Sequence, residues 1–153
     1  MKTSGGFLIS QIHKLSGRAG EKILKEKGIE AFTGAQGRIL YVLWEMGSLP
    51  ISEIGNLTSL ANTTLTSMLD YMENSGLVRR TPNPADRRQV IISLTPKAEG
   101  LKEDYDEVSE KCSQVFYAGF TEDEIVGFEN TLRRILANLQ KGRFCAKNFR
   151  TDF

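Results

Sequence analysis

Residues 62–98 read NTTLTSMLDYMENSGLVRRTPNPADRRQVIISLTPKA, and the fold turns on how this stretch divides. From Asn62 to Asn74 the apolar residues Leu65, Met68, Leu69 and Met72 are spaced 3, 1 and 3, as on one face of a helix. Ser75-Gly76 ends that helix. After Gly76 the period changes. Leu77-Val-Arg-Arg-Thr81 is a strand candidate. Pro82-Asn-Pro-Ala-Asp86 is turn chemistry, because proline sets its own φ and Asn and Asp favour turns. Val90, Ile92 and Leu94 then alternate with Ile91 and Ser93, which is a strand period. A helix followed by two strands with a Pro-rich, basic tip has the layout of a recognition helix and the wing of a winged helix.

Upstream, a short helix is expected over about Ser52–Thr58, with Ile54 and Leu57 on one side. Joined to the Asn62 helix by a brief Ser59-Leu60 turn, it completes a helix-turn-helix. The outer face of the second helix then shows Thr63, Thr64, Thr66, Ser67, Asp70 and Tyr71, short polar groups suited to major-groove hydrogen bonds. Before it, Thr33-Gly-Ala-Gln36 is a capping box. The helix it opens carries Ile39, Leu40, Val42, Leu43, Trp44 and Met46, apolar nearly all round and expected to be central and buried. Gly47, Ser48 and Pro50 break it. The first helical stripe runs from about Phe7 to Lys27, with Leu8, Ile12, Leu15, Ala19 and Ile23 in register and Gly28 as its stop.

Downstream, Thr95 caps and Pro96 opens the next helix. Ala98, Leu101, Tyr105, Val108, Cys112 and Val115 repeat at alternating steps of 3 and 4, a heptad-like seam. Gly119 ends it. Thr121-Glu-Asp-Glu124 is a second capping box, before a final helix expected to bury Ile125, Phe128, Leu132, Ile135 and Leu139. The seam has two readings, an intrachain bundle or a dimer interface built from the two ends of the chain. Two-fold symmetry favours the second, because two half-sites add affinity and fix spacing.

The fold class is therefore mainly α with a small β-hairpin wing. The 153 residues suit one domain: a winged helix over about 32–95, a helical dimerisation region over about 7–28 and 96–140, and a tail over 141–153. Net charge is only +1, so overall charge does not select nucleic acid. Local charge does, since Arg79, Arg80, Arg87 and Arg88 face a single anion, Asp86, between Gly76 and Leu94. The acidic clusters around Glu103–Glu110 and Glu122–Glu129 lie elsewhere. No stretch is apolar enough to span a bilayer or to form a signal-peptide core, so a cytoplasmic location is expected. Two cysteines, Cys112 and Cys145, make no disulfide framework and are expected as thiols. One histidine and scattered acids offer no metal-ligand cluster, and no cofactor is expected. An enzyme would need a nucleophile with its base, an acid–base pair or a phosphate loop, and none is found.

The run Asn74-Ser-Gly-Leu-Val-Arg-Arg-Thr-Pro-Asn-Pro-Ala-Asp-Arg-Arg88, with Ile92-Ser-Leu-Thr-Pro-Lys-Ala98, resembles the MarR family of regulators (multiple antibiotic resistance regulators). Gly76, Leu77, Val78, Arg80, Pro82, Pro84, Asp86, Arg87, Arg88, Leu94 and Thr95 fit its pattern, and the helix order extends the resemblance over about residues 7–140. The resemblance implies a triangular homodimer with the first and last helices and part of the fifth at its base. It also implies a recognition helix in the major groove of double-stranded DNA and an arginine of the wing in the minor groove. It further implies small aromatic or phenolic ligands held between the base and the DNA lobes.

DNA contacts are expected from Asn62, Thr63, Thr64, Thr66, Ser67, Tyr71, Arg79, Arg80, Asp86, Arg87 and Arg88. Arg88 is the favoured inserted arginine and Arg87 its competitor, because a narrow minor groove attracts guanidinium groups. Asp86 is expected to hold the tip in shape. Many family members carry a basic residue where this chain has Ser67, which moves sequence specificity toward Asn62, Tyr71 and the wing. His13, Tyr41 and Trp44 are candidate pocket residues, with interface or core packing as the alternative for each. Cys112 reads as a small buried hydrophobe. Cys145, with Arg143 and Lys147 nearby, is a candidate reactive thiol. In the tail, Phe144, Phe149 and Phe153 either fray or dock on a partner subunit. The expected function is a sequence-specific transcriptional regulator, a repressor whose DNA affinity answers to a small ligand or other signal. The competing reading is a winged-helix protein-interaction module without DNA binding.

Overall fold

A computed structural model describes residues 2–146. Ten elements follow in order: α1 (Gly5–Glu26), α2 (Gly34–Met46), β1 (Leu49–Pro50), α3 (Ile51–Thr58), α4 (Asn62–Asn74), β2 (Val78–Pro82), β3 (Val90–Leu94), α5 (Pro96–Glu99), α6 (Lys102–Phe116) and α7 (Glu122–Ala146). The chain divides into two compact units, residues 1–113 and 114–153.

The first unit is built on α2. Both halves of its capping box form: Thr33 Oγ1 accepts from the Gln36 backbone N–H at 3.3 Å, and Gln36 Oε1 accepts from the Thr33 N–H at 3.0 Å. Ile39, Leu40 and Leu43 are buried, and α3, α4 and the sheet complete the core with Ile54, Leu65, Leu69, Met72, Leu77 and Ile92. Each such side chain contributes about 1.5–3 kcal/mol by leaving water. The helix is not apolar all round in effect, because Tyr41 and Met46 are exposed. Leu57 of α3, expected beside Ile54, is exposed too. Gly37 permits a close approach, since a Cβ there would meet a Tyr105 ring carbon at 3.2 Å and Phe32 at 3.4 Å.

The expected hairpin is present, and a third strand joins it. β2 and β3 pair antiparallel with Val78 opposite Leu94 and Arg80 opposite Ile92. β1 pairs with the other edge of β3, Leu49 opposite Ile92, giving the order β1-β3-β2. Two residues carry no readable period, which is why Ser48 and Pro50 signalled only a helix break. Proline is tolerated there because β1 is an edge strand.

The continuous helix expected after Thr95 is interrupted. α5 is one turn, Leu101 N–H bonds back to the Ala98 carbonyl at 3.1 Å in a tightened turn, and α6 begins at Lys102. The heptad-like seam is mostly an internal surface. Ala98 and Val108 are buried, Leu101, Tyr105 and Cys112 pack against the same core, and Val115 is exposed.

In the second unit Gly119, at φ +84°, makes the turn before α7. The Thr121 box forms, with Glu124 Oε2 accepting from the Thr121 N–H at 2.8 Å and Thr121 Oγ1 accepting from the Glu124 N–H at 3.3 Å. The first of these bonds holds the Glu124 carboxyl below the usual carboxylate range. Phe116, Tyr117 and Phe128 cluster, with Phe116 edge-on to Tyr117 at 4.9 Å. The final helix does not bury its stripe within the chain: Ile125, Phe128 and Leu132 are half-buried, and Ile135 and Leu139 are exposed. The Cys145 thiol and the tail phenylalanines lie outside the described residues.

Candidate nucleic-acid interface

α4 spans the residues expected of a recognition helix. At about 100° per residue the buried Leu65, Leu69 and Met72 and the half-buried Met68 occupy one side. Thr63, Thr66, Ser67 and Asp70 fall opposite, Thr64 and Tyr71 flank them, and Asn62 lies at the edge toward α3, its Oδ1 near Gly55. All seven are exposed, Tyr71 at 60 %. Thr66 Oγ1 donates to the Asn62 carbonyl at 2.8 Å.

The wing tip is latched by its own side chains. Asp86 Oδ1 accepts from the Arg88 backbone N–H at 3.0 Å, and Asn83 Oδ1 accepts from the Ala85 N–H at 3.0 Å. Asn83 Nδ2 donates to Gln89 Oε1 across the base of the loop at 3.0 Å. Asp86 thus braces the backbone under Arg88 and pairs with no arginine side chain among the described residues. The side chains of Arg79, Arg87 and Arg88 are exposed and have no ion pair among the described residues.

Arg79 and Arg80, grouped in the sequence reading, are separated by strand parity. Neighbouring residues on a strand point to opposite faces. Arg80 shares its face with Val78 and, across the ladder, with Ile92, both buried. That face meets α4, and the Arg80 guanidinium pairs there with Asp70 at 2.7 Å and Glu73 at 2.8 Å. Partial burial alone would lower its pKa; the two carboxylates outweigh that and raise it. With only 23 % of its side chain exposed, Arg80 is engaged by Asp70 and Glu73, unlike the other arginines expected to contact DNA. The sequence carries a signal for this pairing: Asp70 and Glu73 are three apart on α4, and Arg80 lies on the next strand.

A second feature is a cleft of about 840 Å³ walled by α1, α2 and α6. His13, Lys14, Arg18 and Glu21 line it from α1, Phe32 and Arg38 from the α2 side, and Tyr105, Val108 and Cys112 from α6. Of the three pocket residues expected from sequence, only His13 is on the wall. Tyr41 and Trp44 stand behind it, their rings 5.8 and 5.2 Å from that of Tyr105. Tyr105, Phe32, Arg18 and Arg38 were missed, because a wall drawn from three helices leaves no local pattern. Burial pushes the Tyr105 hydroxyl and the Cys112 thiol up in pKa, which disfavours a reactive thiolate at Cys112. Lys27 at the end of α1 is ion-paired with Glu107 of α6, which holds that carboxyl below its usual range.

Comparison with known proteins places these features in company. The sequence profile of the MarR family matches residues 32–90. The HTH-type transcriptional regulator YsmB of Bacillus subtilis is 32% identical over 124 residues, which is 78% of this chain and 85% of YsmB. The multiple antibiotic resistance protein MarR of Salmonella typhimurium is 30% identical, covering 68% of this chain and 73% of its own. Among solved structures, a mutant E. coli MarR complexed with operator DNA superposes with a TM-score of 0.76 at 27% identity, over 86% of this chain and 92% of that one.

Proposed function

The chain belongs to the MarR family of winged-helix transcriptional regulators, and from that premise we propose how it engages DNA and answers a signal. It acts in the cytoplasm as a homodimeric repressor. In each protomer α4 lies in a major groove and the β2–β3 wing reaches the adjacent minor groove, with Arg88 inserted and Arg87 and Arg79 on phosphates. The observation that carries this reading is the division of the wing arginines: three are exposed and unpaired among the described residues, and the fourth is spent holding the wing to α4. Three unpaired arginines around a braced turn suit a polyanion such as the DNA backbone. The test is fluorescence anisotropy of the full chain with DNA from upstream of its own gene. Arg87→Ala with Arg88→Ala is expected to weaken binding at least tenfold and to flatten its salt dependence by about two phosphate contacts. Binding that is unchanged in strength and salt response rejects the proposal.

The cleft is the place for the signal. Aromatic rings of Phe32 and Tyr105 beside the cations Lys14, Arg18 and Arg38 suit a small aromatic ligand carrying an acid group. Such a ligand bridges α1 to the DNA-binding lobe and changes DNA affinity by favouring one arrangement of the two. Trp44, the one tryptophan of the chain, stands 5.2 Å from Tyr105, so its fluorescence reports occupancy. Titration with aromatic carboxylates is expected to shift that emission and lower operator affinity together. A shift without any change in DNA affinity removes the regulatory role.

A further inference from the structure

The exposed face of α4 carries hydroxyl and amide side chains, one carboxylate and no cation. Guanine presents two acceptors, N7 and O6, in the major groove and is best read by the fork of an arginine or by a lysine. No Arg or Lys lies anywhere in α4. The one charge on its outer face, Asp70, is occupied by Arg80 at 2.7 Å and is withdrawn from pairing with cytosine. Thr66 has spent its hydroxyl proton on the Asn62 carbonyl at 2.8 Å, so toward a base it offers lone pairs and a methyl group. The lone pairs match the amino group of adenine or cytosine, and the methyl matches the thymine methyl, which only an A·T pair presents. Asn62, exposed in the first turn at the edge of that face beside Gly55 of α3, carries the donor and acceptor that bind adenine at N7 and N6 together. The remaining hydroxyls, of Thr63, Thr64 and Ser67, pair with either kind of base and discriminate little.

We infer that α4 reads A·T pairs, Asn62 taking an adenine and Thr66 a thymine methyl, and that major-groove guanine recognition plays no part in operator choice. This rests on the DNA-binding reading above and adds to it which bases are read.

The test selects duplexes from a random pool with the full-length protein, then modifies the bases of the selected half-site. Replacing thymine by uracil at one position is expected to weaken binding about fourfold, the worth of one buried methyl. Thr66→Ser, which lacks the methyl, is expected to erase the thymine–uracil difference, and Thr66→Val to keep it. Replacing guanine by 7-deazaguanine is expected to change affinity by less than about twofold. A loss of about tenfold or more with 7-deazaguanine, or a uracil penalty that survives in Thr66→Ser, overturns the inference and leaves the DNA-binding reading standing. Failure to enrich any sequence, with affinity equal to that for random DNA, overturns both.

Discussion

At the scale of residues, Arg80 decides how the recognition face is charged. Asp70 lies near the middle of the exposed side of α4, where an unpaired carboxylate would repel phosphate. Arg80 neutralises it from the neighbouring strand and accepts Glu73 as well. The pair is partly exposed, so its contribution to stability is modest, of the order of 1 kcal/mol. Its contribution to DNA affinity is larger, because removing the cation uncovers an anion at the interface. Arg80→Met is therefore expected to lower stability by about 1 kcal/mol in thermal denaturation and to weaken DNA binding several-fold. Adding Asp70→Asn should restore part of that affinity. A double variant no better than the single one would show that Arg80 acts on DNA directly. Asp86 works differently, through the backbone N–H of Arg88, so its role is to shape the tip.

At the scale of elements, a single hydroxyl joins three of them. Thr95 Oγ1 donates to the Gly76 carbonyl at 2.6 Å and accepts from the Ala98 N–H at 3.3 Å. It thereby ties the turn after α4 to the end of β3 and caps α5. Thr95 is buried, so its loss leaves a carbonyl and an amide without their partner. Thr95→Ala is expected to cost about 2 kcal/mol in urea unfolding, and Thr95→Ser less than about 1 kcal/mol. Equal losses in the two variants would assign the effect to packing of the methyl. The break between α5 and α6 belongs here as well. It lets Ala98 pack under the sheet while Tyr105, Val108 and Cys112 meet α2 and α1.

At the scale of the whole molecule, each terminal helix carries apolar side chains that are exposed among the described residues. Phe7, Leu8, Ile9, Ile12 and Leu15 are exposed on α1, and Val126, Ile135, Leu136 and Leu139 on α7. Exposed apolar area of this extent marks an association surface. The heptad-like seam is largely used internally, which leaves the exposed stripes of α1 and α7 as the surfaces for the proposed homodimer. Leu15→Asp and Leu139→Asp, made separately, are each expected to shift sedimentation toward the monomer. Operator affinity should fall steeply with them, since one protomer engages only one half-site. A dimer unperturbed by both would place the interface elsewhere.

Features held by near neighbours are legible along the chain. The two capping boxes, the Thr95 cap, the helix stops at Gly28 and Gly76 and the Asx-braced wing tip each depend on residues within a few positions. They could be read because side chain and backbone partner travel together along the chain. The wing and the recognition helix followed from period and turn chemistry, down to the bounds Asn62–Asn74 and Val90–Leu94. What only the tertiary structure decided is where distant groups meet. Leu49–Pro50 is a strand because β3 offers it an edge. The seam is internal because α1 and α2 arrive to cover it. The cleft exists because three helices from separate parts of the chain leave room between them. Arg79 and Arg80 look alike in sequence, and the parity of β2 against a buried Ile92 sends one to solvent and the other onto α4. Burial and strand facing are sums over the whole packed chain, which no short stretch contains.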